Sequence, residues 1–353
     1  MEAVLLMGGQ AARLRPLTES MPKALVPIAN FPYIEWVIEY LVANGIDHVG
    51  VAAGYLHNAL ERALKGLRDT VNLDLAVERE PLDTAGAVRN AWPFLLHENF
   101  FVLNGDIVTT IPLADLMEQH LKHRAWVTIA LVPVEDPSKF GAVVVGEQGK
   151  VLQFLEKPAK GRAPSNLVNA GIYVFNGNTL QYIPPASAYS IEKQLYPDLL
   201  QKGLPVFAKV FPNSYWADVG TPDSCIRCNF DVIQQRIFPL KARESRPGIW
   251  VADSAQIRSS VSLMPPVLIG DNCLVAQESQ VGPFAVLGPN CRIDPGVTVR
   301  RSVLLENCVV GARAKVESCV LGTGCVVQPG STTPKPVYGC GELVSTKEVA
   351  NLA

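Results

Sequence analysis

The sequence predicts two joined folds: an α/β domain on a Rossmann-like, mostly parallel sheet, then a hexapeptide-repeat left-handed parallel β-helix. Three observations carry this. From residue 3 to about 235, short apolar runs alternate with stretches of helical period. From Ile269 onward, large apolar residues recur every six positions. Between the two, residues 236–248 are rich in Pro and Arg and read as a linker. A chain of 353 residues has room for two domains. The expected division is an α/β domain over 1–235, the linker 236–248, the β-helix 249–331 and a tail 332–353.

In the first part, Ala3–Met7 has the composition of a strand. Ile34, Val37, Ile38 and Leu41 repeat at helical spacing, and Asn44-Gly45 supplies a helix stop. His48–Ala53 and Leu73–Glu78 read as strands, Asn58–Leu67 and Ala85–Phe94 as helices, and Phe100–Leu103 as a short, fully apolar strand. Such alternation means a parallel sheet covered by helices on both faces. Ligands of these sheets gather at loops leaving the carboxyl ends of strands. Two such loops stand out: Gly8–Arg13, and Asn104-Gly105-Asp106.

In the second part, Ile269, Val275, Val281, Leu287, Ile293 and Val299 keep the six-residue period. After a phase change it resumes at Leu304, Val310 and Val316, and again at Leu321 and Val327. Gly often follows the apolar residue, and a small residue stands four places after it. In this pattern each hexad forms one side of a triangular coil, and each coil is covered by the next. Cys273, Cys291, Cys308 and Cys325 fall in the small-residue slot, which argues for packing and against metal binding. Cys225-Ile-Arg-Cys228 is a single CxxC on a helix, with no second pair or neighbouring His to complete a metal site. All five His residues lie at positions 48–123, so the repeat has no base for acyl transfer and reads as a homo-oligomerisation or regulatory platform.

Composition narrows the remaining classes. Net charge is −2 with no Lys/Arg block, so nothing marks a nucleic-acid partner. The apolar runs are too short for membrane spans, and Met1–Met7 lacks the form of a signal peptide. Eight cysteines without an export signal point to reduced thiols and a cytoplasmic protein.

The chemistry concentrates on the segment Met7–Lys23. A Gly pair, Gly8-Gly9, lets backbone N–H groups approach phosphates, and Arg13, Arg15 and Lys23 add positive charge within one short stretch. Asp106 and Asp218 are carboxylates at turns next to apolar runs. Two carboxylates with phosphate oxygens form a usual Mg²⁺ shell.

On these residues the chain resembles the sugar-1-phosphate nucleotidyltransferases. The motifs are Leu6-x-Gly8-Gly9…Arg13-Leu-x-Pro-Leu-Thr, Pro22-Lys23-x-Leu-x-Pro, Asn104-Gly105-Asp106, Glu156-Lys157-Pro158, Asn169-Ala170-Gly171 and Trp216-x-Asp218-Val-Gly. Glu80-Pro-Leu-Asp-Thr84-Ala-Gly86, Val134–Gly141 and Ser190-Ile-Glu-Lys-Gln-Leu-Tyr-Pro197 are most similar to the mannose-1-phosphate guanylyltransferases, which also carry a C-terminal β-helix. The resemblance implies transfer of a nucleoside monophosphate from an NTP, GTP favoured, to a sugar 1-phosphate with release of pyrophosphate. It implies that Arg13 and Lys23 stabilise the triphosphate and that Asp106 and Asp218 hold Mg²⁺. Lys157 grips the sugar phosphate, while Gly141, Glu156 and Asn169 bind the sugar. Leu6, Gly8, Gly9, Glu80, Gly86 and Asp106 line the nucleotide. Other branches use glucose 1-phosphate with a thymidylyl, uridylyl or adenylyl donor, and a non-catalytic sugar-nucleotide sensor is a further alternative.

Three positions depart from the family pattern. Ala11 and Ala12 stand where Gly and a hydroxyl residue are usual, and Asp83 replaces the usual Gly before Thr84-Ala-Gly. If the backbone at Ala11 is left-handed, the methyl group strains the loop by about 1 kcal/mol or more. The missing hydroxyl at residue 12 removes a phosphate hydrogen bond worth roughly 0.5–1.5 kcal/mol.

Overall fold

The computed structural model describes residues 1–240 and 242–345. They form two compact units: Met1–Gly9 with Ile34–Ala217, and Gln10–Tyr33 with the chain from Asp218 onward. The end of the expected tail, 346–353, lies outside the described residues.

The first unit is built on a nine-stranded sheet with helices packed on it, and one further short strand, Ile107–Thr109, lies outside that sheet. Its elements are β1 (Glu2–Leu6), α1 (Tyr33–Ala43), β2 (His48–Ala53), α2 (His57–Lys65), β3 (Asn72–Val77), α3 (Asp83–Ala91), β4 (Asn99–Asn104), β5 (Ile107–Thr109) and α4 (Leu113–Lys122). There follow β6 (Val127–Pro133), β7 (Gly141–Val145), β8 (Val151–Glu156), β9 (Leu167–Asn176), α5 (Tyr196–Gln201) and β10 (Val206–Val210). The order β8-β7-β9-β4-β1-β2-β3 is extended by β6 on β9 and β10 on β6. Strands β4, β1, β2 and β3 are mutually parallel, so Leu6, Ala53, Val77 and Asn104 all end at one edge. These central strands read as near-continuous apolar runs because both faces are covered: Val4, Val51, Val102 and Phe101 are fully buried. Antiparallel β9 closes the side of β4, and its register shifts between Asn169 and Tyr173. Gly45, at φ 78, ends α1 as the Asn-Gly stop required. At the opposite edge Glu2 is buried. Burial opposes its charge, but hydrogen bonds from His48, His97 and the Leu96 amide prevail and hold its pKa at about 2.

In the second unit parallel strands stack coil upon coil into a β-helix. The periodic residues form three inward columns: Ile269, Leu287, Leu304, Leu321 and Tyr338; Val275, Ile293, Val310, Val327 and Val344; Val281, Val299 and Val316. The phase change now has a cause. Ile269 pairs with Leu287, 18 residues on, but Leu287 pairs with Leu304 and Leu304 with Leu321, each 17 residues on. One corner of each later coil is a residue shorter, while the columns stay in line. Coils continue past Ser331 to Leu343–Val344.

The small slots are as tight as the hexad rule demands. Cys273, Cys291, Cys308 and Cys325 are fully buried. Their thiols donate to the carbonyls of Gly288 (3.1 Å), Leu305 (3.1 Å), Gly322 (3.2 Å) and Gly339 (2.9 Å) in the next coil. Burial pushes the Cys325 thiol up to about 11, so these are packing groups rather than nucleophiles. At Gly288 an added Cβ would lie 2.6 Å from the Leu305 backbone, which is why Gly follows the column residue there.

Helix α6 (Pro222–Ile233) lies on one face of the coil, capped by Thr221 and Ser224, which bond each other's backbone N–H reciprocally. It covers a face where Trp250, Leu268, Val286 and Val303 point away from the coil centre yet are buried. Phe230 of α6 meets Phe284 at 5.1 Å. Cys225 and Cys228 are buried on the same helix, and burial raises the Cys225 thiol to about 12, so this CxxC serves packing. The segment Gln10–Tyr33 is fastened here as well. Ala29 N donates to Asn229 Oδ1 (2.7 Å), and Asn30 Nδ2 donates to Leu287 O (2.9 Å).

Candidate active site

In the first unit the predicted residues cluster at the carboxyl edge of the parallel strands. Leu6 ends β1, and its carbonyl accepts from Gly105 N at 2.8 Å, which sets the Asn104-Gly105-Asp106 turn beside the strand that leads to Gly8. Gly105 must be Gly: an added Cβ would stand 2.2 Å from the Leu6 oxygen. Asn104 in turn lies against Gly171, whose φ is 71 and whose added Cβ would meet Asn104 Nδ2 at 2.8 Å. The Asn-Gly-Asp and Asn-Ala-Gly motifs therefore interlock through two glycines.

The sugar-binding candidates also converge. Gly141 and Glu156 are opposite each other in the β7–β8 pair, and a Cβ on Gly141 would sit 2.9 Å from Glu156 Oε2. Burial raises the Glu156 pKa; Lys157, whose Nζ is 3.4 Å away, opposes this and Glu192 adds to it. Lys157 is exposed, and its φ of 46 turns the chain sharply at the strand end. The β9 register shift beside this site re-aims Asn169, whose Oδ1 accepts from Gly171 N (2.9 Å) and whose Nδ2 donates to Tyr173 Oη (2.8 Å). Trp216 donates from its indole to Ala170 O (2.8 Å) and meets Phe140 edge-on, which fixes the Asn-Ala-Gly turn from above.

Around Gly8 the arrangement holds a residue that sequence reasoning missed. Glu80 is exposed. Glu78, two places earlier, is half-buried, and its Oε1 stands 2.5 Å from where a Gly8 Cβ would be. Its Oε2 accepts from Leu82 N at 3.1 Å. Burial raises its pKa, Leu82 N opposes this, and the nearby Asp83 adds to the rise. The available signal was an acid closing a parallel strand at the ligand edge. Gly86 is buried against Ser187, with an added Cβ 2.5 Å from the Ser187 oxygen.

The second unit holds the other candidates. Arg13 Nη2 lies 3.6 Å from Asp218 Oδ2, so the predicted phosphate-binding cation and metal-binding acid are neighbours. Gly220 makes the room: a Cβ there would be 2.5 Å from both Arg13 Nη2 and Asp218 Oδ1. Lys23 opens a short 3₁₀ turn, Lys23–Leu25, and its charge acts on the buried Cys225. Ala11 is left-handed (φ 47, ψ 45), and its carbonyl accepts from Leu14 N (2.9 Å) and Thr18 Oγ1 (3.0 Å). The strain expected at this position is therefore present. Asp83 is left-handed too (φ 55), but its Oδ1 accepts from Thr84 N at 2.8 Å, a local bond that Ala11 cannot make. Replacing Ala11 by Gly is expected to raise stability by about 0.5–1 kcal/mol, read as a higher urea midpoint at unchanged slope. A lower midpoint would show that the methyl group costs the turn nothing.

Comparison with known proteins gives the family. Residues 2–235 match the family Nucleotidyl transferase. The chain belongs to that family. Residues 263–349 match the family GMPPB C-terminal domain. The mannose-1-phosphate guanylyltransferase of Mycobacterium tuberculosis is 32% identical over 85% of this chain and 83% of that protein. Mannose-1-phosphate guanylyltransferase 1 of Arabidopsis thaliana is 35% identical over 90% and 84%. The catalytic subunit beta of the same enzyme from Danio rerio is 33% identical over 90% and 87%. Crystal structures of HddC from Yersinia pseudotuberculosis, alone and complexed with GMP-PN, superpose with TM-scores of 0.57 and 0.56. Each is 25% identical and covers 65% of this chain and 99% of its own.

Proposed function

We propose that this nucleotidyltransferase converts GTP and mannose 1-phosphate to GDP-mannose and pyrophosphate. Glu78 carries the base assignment. A carboxylate oxygen pair accepts the two adjacent N–H groups of guanine, N1–H and N2–H, and Glu78 presents such a pair beside Gly8 at the strand edge. Uracil and thymine offer one N–H between two carbonyls, which a carboxylate repels. The relatives named for mannose 1-phosphate support the sugar.

In the reaction an oxygen of the sugar phosphate forms a bond to the α-phosphorus, and the bond to the β-phosphate oxygen breaks. Arg13 and Lys23 neutralise the triphosphate, and Lys157 holds the sugar phosphate in line for attack. Gly141, Glu156 and Asn169 receive the sugar hydroxyls. Among the described residues no three His, Cys, Asp or Glu side chains are grouped to hold a metal ion. Asp106 in the first unit and Asp218 in the second are each of the kind that holds Mg²⁺, which is usually bound by one or two carboxylates plus phosphate oxygens. Bound there, Mg²⁺ would offset charge on the phosphates. Eight cysteines without an export signal favour the cytoplasm for this enzyme. Among the described residues no helix is long and apolar enough to cross a membrane.

The test is pyrophosphate release with Mg²⁺, mannose or glucose 1-phosphate, and each NTP in turn. Turnover only with UTP or dTTP would sink the guanylyl assignment. Silence throughout, with sugar-nucleotide binding intact, would make the protein a sensor. The variant Glu78→Gln is expected to lower kcat/KM for GTP about 10- to 100-fold while UTP falls less, because an amide offers one acceptor where guanine needs two. An unchanged base preference would remove Glu78 from the base site.

The β-helix further supports a homo-oligomer. Gln256, Leu274, Arg292, Val309, Val326 and Leu343 form one outward ladder, apolar at four positions, of which Leu274 and Leu343 are 45% and 56% exposed. The corresponding ladder on the next side, Ser262, Gln280, Thr298 and Lys315, is polar. A second copy of the chain would cover the apolar ladder. A monomer by light scattering at working concentration would sink this assembly.

A further inference from the structure

The segment after Ser187 touches both ends of the first unit's site. Its backbone is tied to the start of α3: Tyr189 N donates to Leu82 O (2.9 Å), and Tyr189 O accepts from Ala85 N (2.8 Å) and Gly86 N (3.0 Å). It then enters a single π-helical turn, Ile191–Leu195, before α5. Such turns recur at functional sites, because the wider turn re-aims side chains. Here it aims Glu192 inward.

Glu192 bridges two groups that no local contact joins. Its Oε2 accepts from Thr84 Oγ1 (2.9 Å) and Ser190 Oγ (3.0 Å). Its Oε1 accepts from Tyr173 Oη (3.3 Å), which itself accepts from Asn169 Nδ2 (2.8 Å). Thr84 Oγ1 also accepts from Ile191 N (2.8 Å), so its one proton is committed to Glu192. Thr84 stands between Leu82 and Gly86 on the nucleotide side, and Asn169 faces the sugar side. Tyr173 is fully buried, so the chain of bonds is shielded from water along its middle. Glu192 also acts on Glu156, a second sugar-side group.

We propose that Glu192 is a positioning residue that couples the nucleotide half of the site to the sugar half. It rests on the substrate reading given above. A base that settles the Leu82–Gly86 turn fixes Thr84, and Glu192 and Tyr173 pass that order to Asn169. The sugar phosphate then binds an already ordered pocket, and reciprocity requires the same factor in the other direction.

Calorimetric titration of mannose 1-phosphate, with and without a saturating GTP analogue that cannot transfer its α-phosphate, reads this coupling. In the unaltered protein the analogue is expected to tighten sugar-phosphate binding about tenfold. In Glu192→Gln the amide cannot accept from both sides, and the enhancement is expected to fall below about twofold. Thr84→Val and Tyr173→Phe cut the chain at either side, and the double variant is expected to lose no more coupling than either alone. These two carry the test if Glu192→Gln fails to fold. Full enhancement in the folded variants, independent losses from the two cuts, or no enhancement in an active unaltered protein overturns the proposal. Turnover with a different nucleotide and sugar phosphate overturns the substrate reading alone, and the coupling is then measured with that pair. A protein inert with every pair overturns both.

Discussion

Asp106→Asn is expected to fold as the parent does and to release pyrophosphate about 10²- to 10³-fold more slowly in kcat/KM, near 3–4 kcal/mol of transition-state stabilisation. The Asn keeps the shape of the side chain and removes its charge. Asp106 follows directly on β4 and Gly105, at the edge where β1 and β4 end, so its position is set by two strands rather than by a free loop. If its task is to hold Mg²⁺ against the phosphates, the variant also needs more Mg²⁺ for half-maximal rate. A loss of less than about fivefold, at any Mg²⁺ concentration, would take Asp106 out of the reaction and leave it as a turn residue.

The second large effect comes from one methyl group next door. Gly105→Ala puts a Cβ 2.2 Å from the Leu6 carbonyl oxygen and 2.6 Å from Met7 Sδ. The sulfur can move, but the backbone oxygen belongs to β1 in the middle of the sheet and accepts the Gly105 N–H. The turn must therefore shift. Destabilisation of about 1–3 kcal/mol is expected from the overpacking. Displacement of Asp106 by about 1 Å is expected to cost a further 10²-fold in kcat/KM. Chemical denaturation and steady-state kinetics separate the two contributions. A variant with parental stability and activity would show that the turn relaxes without cost.

Both predictions use residues that the sequence already marked, and the reason is physical. Parallel strands covered on both faces must be apolar, and a stacked coil must repeat, so β1 to β4 and the hexad columns appear as patterns in a single chain. Asp106, Glu156 and Asp218 fall at or just past strand ends, where the sheet rule puts ligands, whereas Arg13 and Lys23 lie in short 3₁₀ turns. What stayed hidden depends on contacts between distant segments. Glu78 resembles any acid at a strand end until the chain folds it against Gly8 and Asp83 loads it with a second charge. The Glu192 bridge joins Thr84, Tyr173 and Ser190, and no spacing along the chain announces that meeting. The phase change in the repeat was visible, but its origin, a coil shortened by one residue, required the strand register. The left-handed turn at Ala11 was a conditional expectation that the backbone fulfilled.

Asn229 holds Ala29, and Asn30 holds the carbonyl of Leu287, the second residue of the first inward column. The segment Gln10–Tyr33, which carries Arg13 and Lys23, is built into the same body as α6 and the β-helix, although nearly two hundred residues of sheet domain intervene. Ala29 is held by a side chain of α6 and Asn30 by the backbone of the coil that carries Leu287, so a shift of either would carry the charged segment with it. The placement of Arg13 and Lys23 is therefore tied to residues that stand 200 and 257 positions after the ones they hold.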